Sequence, residues 1–129
     1  MQTTIREAGG DDIPALARLA AEFFGDETWL RRNIEDTWPK WLVFVAEEDG
    51  ELVGLAAAER NADLSGSPVF HLLHLYLSPL VRGRGVARNL VERIAAAGQV
   101  VWTMVPATEA HKRMARMFGF TESGVVMTR

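Results

Sequence analysis

Two glycines, Gly83 and Gly85, separate an apolar run that ends at Leu77 from the amphipathic stretch Val86-Ala87-Arg88-Asn89-Leu90-Val91. A strand that turns through glycines into a helix builds an anion cradle. Glycine lets the backbone turn tightly and approach a ligand, and the first amides of the helix have no carbonyl partners and carry the positive end of its dipole. A phosphate or pyrophosphate fits there without a dedicated lysine, and a long phosphorylated molecule can lay its arm along the preceding strand. Arg82, Arg84 and Arg88 surround the turn, and Arg84 and Arg88, four apart, are the side chains placed to reach a phosphate.

The same strand carries His74 and Tyr76. An imidazole titrates near pH 6.5 in water, which suits a general base acting directly or through a water. Strict alternation puts His74 on one face with Leu72 and Tyr76. The Tyr76 hydroxyl is a second polar group for the same cleft. The spacing of His and Asp contains no metal-binding motif.

The chain's 129 residues, 48% hydrophobic and 24% charged, suit one domain, residues 1–129, around one core. A net charge of −3 offers no general attraction to nucleic acid or anionic membrane, so any anion site is local. With no cysteine there is no protein thiolate for catalysis, no disulfide and no zinc–thiolate site. The opening Met1-Gln2-Thr3-Thr4-Ile5-Arg6-Glu7 lacks a signal-peptide pattern and no apolar run reaches membrane-span length, which predicts a soluble cytoplasmic protein.

The pattern places a strand at Thr3–Glu7 and a helix capped by Asp11 or Asp12, with Ile13, Leu16, Ala20, Phe23 and Phe24 on one face. Gly25 breaks it; a second helix starts near Glu27 and stops at Pro39, with Leu30, Ile34 and Trp38 in register. Trp41–Ala46 and Leu52–Glu59 form a hairpin about Asp49-Gly50. Asn61–Pro68 reads as an exposed loop and Val69–Leu77 as the next strand. The helix after the glycine turn presents Val86, Leu90, Val91, Ile94 and Ala95, and Gly98 is placed to close it in the left-handed conformation. A strand at Gln99–Val105 follows, then a helix capped by Thr108 with Ala110, Met114, Ala115 and Phe118 inward, ended by Gly119. Val125–Thr128 is the closing strand. The resulting order, β-α-α-β-β-β-α-β-α-β, is a mixed, mostly antiparallel α/β sheet flanked by helices. Trp29, Trp38, Trp41, Phe23 and Phe24 cluster near the second helix and read mostly as core.

This order, with Arg82-x-x-Gly85-x-Ala87 opening the third helix, resembles the GNAT superfamily of N-acetyltransferases. The match covers essentially the whole chain. Ile5-Arg6-Glu7-Ala8 followed by Asp12-Ile13-Pro14-Ala15-Leu16, the hairpin's Val53-Gly54, the Leu-Tyr-Leu-x-Pro strand end and Gly119-Phe120 carry it further. The resemblance implies acetyl-coenzyme A as cosubstrate, with its pyrophosphate on the amides of Arg82, Gly83, Arg84, Gly85, Val86, Ala87 and Arg88. It implies a pantetheine arm along Leu75, Tyr76 and Leu77, in a wedge where that strand and the next splay apart. The Leu77 amide becomes the donor to the thioester carbonyl and Thr108 a further coenzyme contact; His111, one turn after Thr108 on the last helix, is placed by the pattern itself to approach the coenzyme.

The acceptor implied is a small-molecule or peptide amine, bound near the second helix and attacking the thioester directly. Relatives commonly dimerise, and this sequence specifies no interface. The chain departs from the family pattern in the last helix: Thr108 stands where many members have asparagine, and Ala115 where they have the tyrosine that meets the coenzyme sulfur. That departure motivates an alternative reading as a non-catalytic acyl-coenzyme A sensor or interaction domain.

Overall fold

The computed structural model describes residues 3–103 and 108–123; the second half of the Gln99–Val105 strand and the Val125–Thr128 strand expected from sequence fall partly or wholly outside that set. Nine elements are ordered along it: β1 (Thr4–Glu7), α1 (Ile13–Phe24), α2 (Glu27–Thr37), β2 (Trp41–Glu48), β3 (Glu51–Ala62), β4 (Pro68–Leu77), α3 (Val86–Ala95), β5 (Gln99–Val101) and α4 (Glu109–Met117). The strands form one sheet in chain order, antiparallel from β1 to β4 and parallel between β4 and β5.

Local chemistry accounts for most boundaries. Gly25 closes α1 at φ 97°, and the Asp26 side chain accepts the Trp29 amide at 3.0 Å to open α2. Asp49 and Gly50 both take positive φ, 51° and 80°, the geometry of a two-residue hairpin that matches strand twist. The β3–β4 pairing runs further than the sequence suggested: Asn61 and Ala62 belong to β3 and Pro68 to β4, leaving only residues 63–67 as the loop. Asp63 folds that loop by accepting from the Ser65 and Ser67 amides.

Helices α1 and α2 bury Leu16, Ala17, Leu19, Leu30 and Ile34 against Val43, Val45, Leu55 and Ala57 on one sheet face. Helix α3 buries Val86, Leu90, Val91 and Ile94 against Phe44, Ala56, Ala58 and Phe70 on the other. Each fully covered aliphatic side chain contributes about 1.5–3 kcal/mol, so both faces are firmly held.

Several expectations are corrected. Ala95 and Ala110 are exposed, because each helix turns its narrow apolar stripe, not every alanine, to the sheet. Phe23, Phe24 and Trp29 are 66%, 56% and 60% exposed and therefore outside the core. Gly98 is not left-handed, since α3 already ends at Ala96 in helical geometry. Its missing side chain matters for space instead: a Cβ there would lie 2.9 Å from the Pro68 carbonyl oxygen and from the Phe70 ring.

Candidate functional site

The β4–β5 ladder consists of Val69↔Gln99, Phe70↔Val100 and His71↔Val101, and then β5 stops. Strand β4 continues to Leu77 with no partner on that side among the described residues. The point of departure carries a bulge. Ala58 pairs with Leu72 and Ala57 with His74, so Leu73 is an extra residue without a partner on β3. A bulge increases local twist and bends its strand, here just beyond the last β4–β5 pair, His71↔Val101.

The bulge also reverses the side-chain parity. Phe70 and Leu72 point to the α3 face, whereas beyond Leu73 that face is taken by Leu75 and Leu77. His74 and Tyr76 therefore point to the α1/α2 face, opposite Leu72, which corrects the strict alternation drawn from sequence. Insertions of one residue in a strand flip every side chain beyond them.

Backbone direction at the end of β4 follows from one hydrogen bond. The Ser78 amide donates to the Val53 carbonyl of β3 at 2.8 Å. In a planar trans peptide the preceding Leu77 carbonyl points the opposite way, and in an extended residue the Leu77 amide lies on that same side. The Leu77 N–H is thus directed away from β3, to the side on which β4 has no partner beyond His71 among the described residues. In agreement, the Leu77 carbonyl accepts from Arg82 Nε at 3.3 Å, outside the β3 ladder.

After β4, a short 3₁₀ turn at Pro79–Val81 is pinned by Val81, which is fully buried, and leads to the glycine turn. Gly83 and Gly85 take φ 80° and 76°, and a Cβ at either would meet nothing within 4 Å. Gly85 is the residue preceding α3, with no side-chain cap. The first amide to find a backbone carbonyl is Asn89, on Gly85 at 3.2 Å, so the amides of Gly83 to Arg88 make no backbone hydrogen bond among the described residues. The result is a set of unpaired donors beside open space.

The arginine side chains are largely occupied elsewhere. Arg84 Nη2 lies 2.7 Å from Glu48 Oε2, and that carboxylate, 7% exposed, also accepts the Thr3 hydroxyl. Thr3 first, and Arg84 after it, hold the Glu48 carboxyl below the usual carboxylate range. Arg84 ties the turn to the end of β2 and leaves its amide free. Arg88 pairs with Glu92 at 3.6 Å on the exposed face of α3. The cradle is therefore made of backbone. The burial of Glu48 depends on the fold bringing residues 3 and 84 to it, for which the sequence carries no local signal.

On the α1/α2 side of β4 lies a cleft of about 250 Å³. Leu16, Ala20, Leu30 and Ile34 form its helical wall, and Val43, Leu55 and Ala57 its floor. Phe24, Trp29, Trp38 and Trp41 close it with aromatic surface, and His74, Tyr76 and Asn33 supply its polar groups. The His74 ring stands edge-on to Phe24 and Trp41, with centroids 6.1 and 5.7 Å away. Burial among these rings pushes its pKa below the ordinary value, which keeps the imidazole neutral. Tyr76 donates its hydroxyl to Glu22 of α1 at 3.2 Å, and desolvation followed by that carboxylate raises its pKa.

Of the remaining predicted residues, Thr108 caps α4 by accepting the His111 amide at 3.1 Å. Neither side chain makes a hydrogen bond with the β4 edge or the glycine turn among the described residues. Ala115 is buried, with Phe118 and Phe120 packed toward the α3-side core. No group of three or more His, Cys, Asp or Glu suited to a metal occurs among the described residues, and no described helix is long and apolar enough to cross a membrane.

Residues 13–120 match the model of the acetyltransferase (GNAT) family. An uncharacterized N-acetyltransferase from Archaeoglobus fulgidus is 31% identical over 101 residues, 69% of each chain. Among solved structures, an aminoglycoside N-acetyltransferase in complex with CoA superposes with a TM-score of 0.83 at 20% identity, over 99% of this chain and 93% of that one. A possible acetyltransferase from Clostridium difficile 630 gives 0.83 at 16% identity, over 100% and 97%. These structural likenesses establish a shared fold.

Proposed function

Because this chain belongs to the acetyltransferase (GNAT) family, we propose that it transfers the acetyl group of acetyl-coenzyme A to a primary amine by direct attack. The observation that carries the reading is the continuity of two unsatisfied backbone surfaces, the open β4 edge and the amides of Gly83 to Arg88. That arrangement suits a ligand with a hydrogen-bonding arm and a diphosphate, and the empty space at Gly83 and Gly85 leaves room for it. The residues present therefore fit the coenzyme.

When bound, the coenzyme supplies an acetyl group activated by a thiol leaving group. The chain's own part is positional and electrostatic. Amides from Gly83 to Arg88 hold the diphosphate, and the β4 edge at Leu75–Leu77 orients the arm. The Leu77 N–H, aimed into the wedge, donates to the carbonyl oxygen as negative charge develops there. His74, neutral within its aromatic surround, accepts the proton that the amine sheds as its C–N bond forms. The position of the family's helix tyrosine is a buried methyl, Ala115, so that position supplies no proton donor to the coenzyme sulfur. Tyr76 is engaged with Glu22 on the acceptor side and positions the cleft wall.

The test is thiol release from acetyl-coenzyme A with a panel of amines, alongside calorimetric titration of the coenzyme. Binding together with amine-dependent thiol release supports the reading. Binding without release by any amine overturns the transfer step and favours a sensor, and failure to bind removes the whole assignment.

A further inference from the structure

We propose that the acceptor is a small primary monoamine with an apolar or aromatic body, seated in the cleft between α1, α2 and the β2–β4 face, an assignment that rests on the acetyl-transfer reading above. The cleft contains Phe24, Trp29, Trp38 and Trp41, and its wall holds no Asp, Glu, Lys or Arg among the described residues. The residues outside that set, 1–2, 104–107 and 124–129, include no Asp or Glu side chain either. Glu22 meets the Tyr76 hydroxyl but is not part of the wall.

Charge and size both select against a polycation. An ammonium moved from water into an apolar site without a counter-charge is strongly disfavoured, and each further ammonium on the same ligand repeats that cost. One ammonium can be tolerated at the aromatic rim, where indole faces attract a cation, and it gives its first proton to solvent before attack, leaving His74 to take the proton released as the C–N bond forms. The rest of the ligand must then be apolar to gain from the wall. A volume of about 250 Å³ falls under the range of roughly 300–1,000 Å³ typical of drug-sized ligands. A space of that size suits one ring and a short chain better than a multi-ring aminosugar.

His74 fixes the orientation. It lies beyond the bulge on the strand whose edge receives the coenzyme arm, and it shares the cleft with the aromatic wall. An arylalkylamine placed with its ring between α1 and α2 brings its nitrogen to the His74 end. Asn33, a neutral amide in the α2 wall, is the position at which a carboxylate would recruit a second ammonium.

Two measurements on the coenzyme-bound protein test this. Tryptophan fluorescence is titrated with 2-phenylethylamine, 1,5-diaminopentane and a three-ring aminoglycoside, and thiol release from acetyl-coenzyme A is followed with each. The expected result is tighter binding and at least tenfold higher kcat/KM for 2-phenylethylamine than for the other two. Trp41→Ala raises KM for 2-phenylethylamine at least tenfold with coenzyme affinity unchanged, and Asn33→Asp shifts the preference toward the diamine. Preference for the diamine or the aminoglycoside in the unaltered protein overturns the substrate class while leaving acetyl transfer intact. Tight 2-phenylethylamine binding without thiol release upholds the cleft's selectivity and overturns acetyl transfer. No binding and no release with 2-phenylethylamine overturns the proposal.

Discussion

Replacing Gly85 by alanine separates the cost of backbone strain from the cost of losing ligand space. Gly85 sits at φ 76°, where an L side chain costs about 1–2 kcal/mol. No protein atom lies within 4 Å of the added Cβ, so the folded protein bears that strain and nothing more. For a domain of this size, 1 kcal/mol corresponds to roughly 4 °C in Tm, giving an expected fall of about 4–8 °C. The methyl group, however, enters the space beside the unpaired amides of Gly83 to Arg88. Acetyl-coenzyme A binding should therefore weaken at least tenfold, about 1.4 kcal/mol. Gly66→Ala is the matched control, since Gly66 has φ 85° and equally open surroundings in the 63–67 loop. It should lose similar thermal stability and bind coenzyme normally. Differential scanning calorimetry gives the first quantity and isothermal titration the second. If Gly85→Ala loses stability but keeps the coenzyme affinity of Gly66→Ala, the reasoning about the cradle is refuted.

Four other outcomes follow from the same structure. Burial lowers the pKa of His74, so the acidic limb of the kcat profile lies below the pH at which a free imidazole titrates; His74→Gln should flatten that limb and lower kcat, and an unchanged pH–rate profile would remove the base assignment. The same group contributes stability that is present above pH 6.5 and lost as pH falls through its lower folded value, a slope that His74→Phe abolishes in denaturant titrations. Arg84→Met leaves the covered Glu48 carboxylate with Thr3 alone, and should lower both Tm and coenzyme affinity, with the added change Glu48→Gln restoring much of the Tm. Gly98→Ala should cost about 1–3 kcal/mol by overpacking against Pro68 and Phe70; a neutral result in urea denaturation would contradict that close approach.

The sequence made the order of elements and the glycine cradle legible because both depend on short-range rules. Gly25, Asp49-Gly50, Thr108 and Gly119 each act within one turn of the chain, and each does what its type predicts. Features that depend on tertiary pairing were not readable. The bulge at Leu73 lies in an unbroken apolar run, with no glycine or proline to mark it, and it reverses the faces of every later β4 side chain. Gly98 followed a helical stripe and so resembled a cap, whereas its requirement comes from Pro68 and Phe70 thirty residues earlier. Phe24 and Trp29 read as core by hydrophobicity, but they line a partly open cleft, which needs the same residue types as an interior, while the exposed Phe23 packs edge-on against Phe24 and Tyr76. His74 lines the cleft from a face that it does not share with Leu72.

The central claim, that unpaired amides at the entrance to α3 and at the end of β4 receive the coenzyme, is tested most directly by ¹⁵N-resolved NMR during titration with acetyl-coenzyme A. The account predicts that the amides of Gly83 to Arg88 and of Leu77 move most, in the direction of new hydrogen bonds, and saturate together. Saturable binding that leaves those amides in place and shifts others instead would contradict it.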